Sequence, residues 1–146
     1  CWSARCAVQD PPRVENHAGR YGGGPAVCPT YGDACRADTR PAGVVALEFG
    51  PAQISYLPLL DVFWANHAPA SLIRQGPDAG RQYRSVIFYH SPEQKAEAEE
   101  SKAELETSGK FKRPIVTFIE AAPKFFRAEE SHQRVPEKSG MSHFAY

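Results

Sequence analysis

The stretch from residue 82 to residue 120 constrains the fold of this chain more than any other. QYRSVIFY (82–89) is rich in β-branched and aromatic residues and reads as a strand. Ser91-Pro92-Glu93-Gln94 then opens a helix. Ser supplies the cap, Pro suits the first helical position, and Gln occupies the capping-box position. Gly109 is a natural stop, so the helix is predicted over about 92–107. It is dominated by Glu, Lys and Ala, which makes it a mostly solvated helix and its charge run a solvated face. RPIVTFIE (113–120) follows as another strand.

The rest of the chain is read against this unit. GVVALEF (43–49) predicts a strand. Tyr56, Leu60, Phe63 and Trp64 fall near one helical face, predicting a helix over about 56–66. Ser55 is placed as its N-cap, and Pro58 is tolerated in a first turn. Residues 68–81 read as a long loop, and long ordered loops often carry function. Residues 1–9 are expected to begin a helix that Pro11-Pro12 stops. Residues 13–21 are weakly patterned, and Gly22 to Pro29 reads as a loop. A short helix is expected from Ala128 to Val135, ended by Pro136. Strands alternating with helices imply a layered α/β or α+β domain, here a single one over 1–146.

Composition narrows the function. The 146 residues carry 17 Lys+Arg and 17 Asp+Glu, so the net charge is zero. A general nucleic-acid binder would show a basic excess. Hydrophobic residues make up 42%, so the chain is not compositionally disordered, and a chain of this length can bury roughly 68–70% of its unfolded surface. No apolar run approaches the ~20 residues of a membrane helix. CWSARC shows no secretory signal pattern, so a cytoplasmic location is expected.

The cysteines are Cys1, Cys6, Cys28 and Cys35, with 4, 21 and 6 residues between successive ones. A disulfide framework would be sparse at this length, and the spacing lacks a zinc knuckle. A reactive thiol ranks above both. Cys1 precedes the expected first helix, whose dipole would stabilise a thiolate; a buried, inert cysteine is the plain alternative. Tyr31 in PTYGD, Tyr83 in QYRS, Asp78 in GPDAG and His132 near the C-terminus are further polar candidates. Each also has an ordinary structural reading as a core-edge tyrosine, a turn aspartate or a satisfied histidine. The Gly22-Gly23-Gly24 run lacks the Lys-Ser/Thr of a phosphate loop.

Several long stretches taken together resemble the peptide methionine sulfoxide reductase A family. They are PTYGDACRADT (29–39), ISYLPLLDVFWANHAP (54–69), IRQGPDAGRQYRSVIFY (73–89), SGKFKRPIVTFIE (108–120) and FFRAEESHQ (125–133). The resemblance implies an α+β fold, a two-layer α/β sandwich with a central mixed sheet and flanking helices. It implies reduction of the S epimer of methionine sulfoxide, in peptides or free, as in protein repair under oxidative stress. A thiolate takes the sulfoxide oxygen and becomes a sulfenic acid, which thiols then reduce. No cofactor or metal is implied beyond an external thiol reductant, thioredoxin or dithiothreitol. A monomer without nucleic-acid or membrane partners is expected.

By this resemblance Cys1 matches the nucleophile, and Trp2 and Ser3 stand where the family's Gly-Cys-Phe-Trp motif has Phe and Trp. Tyr31 and Tyr83 match hydroxyl donors to the sulfoxide oxygen. Asp78 matches the family aspartate, and His132 the histidine of the final His-Gln pair. The family's Gly-His-Ala-Glu, whose Glu donates the main proton, is replaced by Arg40-Pro41-Ala42-Gly43. Losing a positioned general acid typically costs 10²–10⁴-fold. Family members carry a strand before the nucleophile, so the chain is expected to be truncated at its N-terminal edge. The tail PEKSGMSHFAY holds no resolving cysteine, which leaves Cys6, Cys28 and Cys35. Gly43, Ser3 and the segment QDPPRVENHAGRY also allow a second reading: a decayed relative that binds oxidised methionine without turnover.

Overall fold

The computed structural model describes residues 14–22, 42–50, 52, 54–75 and 78–127. The expected helices at 1–9 and 128–135 lie outside these residues, as does the loop expected from Gly22 to Pro29 except for Gly22, which ends a strand. The architecture is α+β, with both antiparallel and parallel strand pairs. Strand β1 (Val14–Gly22) runs between β2 (Ala42–Phe49) and β7 (Phe126–Arg127), antiparallel to both. Residues 14–21 of the segment read as weakly patterned and disturbed, together with Gly22, are therefore the central strand of a sheet. Its register pairs Tyr21 with Gly43 and Arg20 with Val44, with an irregularity between Val14 and Asn16.

Helix α1 spans Tyr56–Ala65, within a residue of the expectation. Ser55 is its N-cap by extended backbone, but its side chain makes no capping hydrogen bond. The chain then turns through Pro69 to a small antiparallel pair, β3 (Arg74–Gln75) and β4 (Asp78–Ala79). The predicted strand at 82–89 is shorter than expected. Arg81–Tyr83 form one 3-10 turn, and only Val86–Tyr89 make strand β5.

Helix α2 (Pro92–Thr107) follows the sequence signals closely. Ser91 Oγ accepts the Gln94 N–H at 3.2 Å, and Gln94 Oε1 accepts the His90 N–H at 2.8 Å. Gly109 takes φ +68°, the left-handed conformation that ends helices at low cost in glycine. Strand β6 (Phe118–Ala121) lies parallel to β5, and α2 supplies the crossover that a parallel pair requires. Residues 113–117, expected as strand, precede β6 as irregular chain.

The core sits where α1, α2 and the β5–β6 pair meet. Leu60, Trp64, Ile87, Ala98 and Ile115 are buried together, with Tyr56, Phe63, Leu105, Phe111 and Ile119 packed around them. Each large side chain buried this way contributes about 1.5–3 kcal/mol. Trp64 also donates its indole N–H to Ser101 Oγ at 2.8 Å, which ties α1 to α2. Ala98 is the one buried residue of α2, so that helix is mostly solvated as expected.

Candidate active site

The loop from Ala68 to Arg84 carries two of the expected site residues. Its near end is held by Gln75, which is 1% exposed. Gln75 Oε1 accepts the Ala68 N–H at 2.9 Å, and its Nε2 donates to the Ala68 carbonyl at 3.3 Å. A buried amide paired on both sides is rigid and leaves no polar group unmet. Asp78 begins β4 directly after this anchor, its Cα paired with that of Gln75.

Gly80 makes the next turn. Its φ of +143° suits glycine, and a Cβ there would overlap the Gln82 side chain. The Gly80 N–H reaches the Ile73 carbonyl at 2.8 Å, and the Gly80 carbonyl accepts the Tyr83 N–H at 3.0 Å. Tyr83 thus sits at the end of the 3-10 turn and not inside a strand. Both the Arg84 N–H and Arg84 Nη1 donate to the Arg81 carbonyl and close the turn. Burial lowers the Arg84 pKa from its usual value, and Glu120 opposes that shift. The turn packs against β2, the strand that holds Gly43.

A buried polar relay lies behind the turn. His67, just past the end of α1, is 5% exposed. Its Nδ1 faces the Phe63 carbonyl, and its Nε2 lies 2.7 Å from Ser85 Oγ. Ser85 Oγ is in turn 2.7 Å from Thr117 Oγ1. Burial pushes the His67 pKa down to about 4, outweighing the hydrogen bond to Phe63, so the ring is neutral at neutral pH. A carbonyl only accepts, so Nδ1 carries the ring proton and Nε2 is an acceptor. Ser85 must donate to Nε2, and Thr117 must donate to Ser85. The relay runs one way, from Thr117 through Ser85 and His67 to the Phe63 carbonyl.

A cavity of about 330 Å³ opens beside this relay. Gly43, Phe63, His67, Gln75, Arg84 and Ser85 are among its walls. Gly43 thus lines this cavity, and the Tyr83 turn packs against the strand that carries it. Cys1, Trp2, Ser3, Cys6, Cys28, Tyr31, Cys35 and His132 lie outside the described residues, as do Arg40 and Pro41. Among the described residues, no cluster of His, Cys, Asp and Glu is placed to hold a metal. No helix among them is long and apolar enough to cross a membrane.

Sequence reasoning passed over His67, Ser85 and Thr117. The pairs in the relay are 18 and 32 residues apart, and no local pattern links them. The available signal was the polar pair Asn66-His67 directly after an apolar helix face.

Known proteins match this arrangement along almost its whole length. A family model described as peptide methionine sulfoxide reductase matches residues 1–145. A peptide methionine sulfoxide reductase MsrA of Methanoculleus marisnigri is 50% identical over 139 residues, which covers 95% of this chain and 85% of that protein. The crystal structure of reduced Mxr1 from Saccharomyces cerevisiae superposes with a TM-score of 0.88 at 28% identity, covering 99% of this chain and 86% of that one. Mxr1 in complex with Trx2 gives a TM-score of 0.63 at 22% identity, covering 90% and 76%, a likeness of fold alone. A match that begins at Cys1 and runs through β2, the Tyr83 turn and β6 shows that the chain belongs to the peptide methionine sulfoxide reductase A family.

Proposed function

We propose that this chain reduces the S epimer of methionine sulfoxide through Cys1. The family match over residues 1–145 carries the reading. The Cys1 thiolate attacks the sulfoxide sulfur, and the sulfoxide oxygen takes up protons. The oxygen passes to the cysteine as sulfenic acid, and methionine leaves with its sulfur reduced by two electrons. Tyr83 and Tyr31 direct hydroxyl protons at that oxygen, Asp78 supports them, and Trp2 with His132 lines the substrate. The packing of the Tyr83 turn against β2 supports the role of Tyr83.

A neutral substrate needs no steering field, which suits a chain of zero net charge. An external dithiol returns the sulfenic acid to thiol, by way of a mixed disulfide. A thioredoxin-type protein is the proposed donor, in keeping with the Mxr1–Trx2 complex. The chain works as a single domain and a monomer in the cytoplasm, where thiols are kept reduced.

Dithiothreitol-driven turnover of the separated sulfoxide epimers tests this. Consumption of the S epimer alone, abolished in Cys1→Ser, is the expected result. Binding of either epimer with no thiol-dependent loss of sulfoxide would instead leave a binding module.

A further inference from the structure

We infer that Ser85, held by the His67 ring, is a positioning residue for Tyr83. The inference rests on the role proposed for Tyr83 in sulfoxide reduction.

Both ends of the loop that carries Asp78 and Tyr83 are fastened to the two residues His67 and Ala68. At the near end, the Ala68 main chain holds the Gln75 amide in two hydrogen bonds. At the far end, the His67 ring holds the Ser85 hydroxyl. Neighbouring Pro69 is itself tied to the approach to β6, its carbonyl accepting the Val116 N–H at 2.9 Å. Between Ser85 and Tyr83 stands Arg84, whose N–H and Nη1 both go to the Arg81 carbonyl. Each residue from Ser85 back to Gly80 except Gln82 therefore takes part in a hydrogen bond already described. The Ser85 carbonyl also accepts the Phe118 N–H at 3.0 Å, which fixes the main chain at the same point.

The direction of the relay matters to the placement. His67 presents a lone pair at Nε2, so it can only receive the Ser85 proton. Ser85 is then oriented by two partners on two different elements, α1's end and the approach to β6. An apolar pair would bury the same surface without fixing a direction, whereas a satisfied buried polar chain specifies one geometry. The ring is itself clamped, with its centroid 3.8 Å from that of Phe63. A shift of about 1 Å at a proton donor is enough to cost up to 100-fold in rate. The position of the Tyr83 main chain, from which its side chain projects, is the property that this scaffold sets.

The experiment is a double-mutant cycle on the full chain, with kcat and KM measured for the parent, Ser85→Ala, Tyr83→Phe and the double variant. Ser85→Ala is expected to lower kcat about tenfold or more and to leave KM within about twofold. In the Tyr83→Phe background the same change is expected to cost nothing further, because the hydroxyl it positions is gone. An equal loss in both backgrounds, or a loss confined to KM, would overturn the inference. Ser85→Cys keeps the size and weakens the donor, so it serves the same comparison where Ser85→Ala fails to fold. Should the parent itself turn over no sulfoxide, the proposed function fails, and amide hydrogen exchange over residues 80–85 decides the positioning. Exchange faster by about tenfold in Ser85→Ala supports it, and unchanged exchange overturns it.

Discussion

Gly43 stands where the resemblance implies a proton-donating Glu. It lies on β2 opposite Tyr21, among the walls of the cavity shared with His67 and Ser85. The described glycines with positive φ are Gly80 and Gly109, so the Gly43 backbone accepts an L side chain. Glycine inside a strand also weakens it, so a larger residue there helps the sheet. Gly43→Glu is therefore expected to fold and to raise kcat, since a positioned general acid contributes about 10²–10⁴-fold. Turnover of the S epimer with dithiothreitol, parent against variant, measures this. Unchanged kcat in a folded variant would show that protons reach the sulfoxide oxygen by another route. A missing acid at position 43 was a reading open to the sequence, because the flanking residues keep the register of the resemblance. The relay at His67 was not, because its members are joined only by the fold.

At the scale of elements, local signals were readable where the element is built locally. Helix α2 carries its own cap, its own Pro and its own stop, and the structure places all three as expected. Ser91→Ala removes one cap hydrogen bond and is expected to cost about 1 kcal/mol, or about 3 °C in Tm, read by thermal unfolding followed by circular dichroism. Strand β1 shows the opposite case. VENHAGRYG has no apolar alternation, and Asn16 and Gly19 are poor strand formers. It is a strand because β2 and β7 pair with it from both sides, and β7 lies some hundred residues away in sequence. The predicted strands at 82–89 and 113–120 were too long for a related reason. Residues 81–83 are taken up by the turn that Gly80 permits, and the Val116 N–H goes to Pro69 instead of a sheet partner. Tertiary demands shortened both, at the positions that place Tyr83 and Ser85.

Among the described residues, two groups on or beside α1 bound a pH window of stability. His67 has a folded pKa of about 4 against an ordinary 6.5, so between these values the unfolded chain binds the extra proton. Stability from the neutral ring is fully present above pH 6.5 and is lost as pH falls toward 4. Tyr56 is raised from 10.0 to about 12, by burial first and Glu97 second. Its neutral form is the folded form, so stability declines as pH rises from 10 toward 12. The acid limb is the stronger test, because His67 is almost wholly buried. Chemical denaturation of the parent and of His67→Gln at pH 7 and pH 4 isolates it, since carboxylates shared by both proteins cancel in the difference. The parent is expected to lose roughly 3 kcal/mol more than the variant over that interval. The variant is less stable at pH 7, where it lacks the ring's packing, and the gap closes as the pH drops. Equal losses in the two proteins would mean that His67 titrates near its ordinary value. A ring exposed enough to do so could not hold Ser85, and the far end of the Tyr83 loop would then lose its tie to α1.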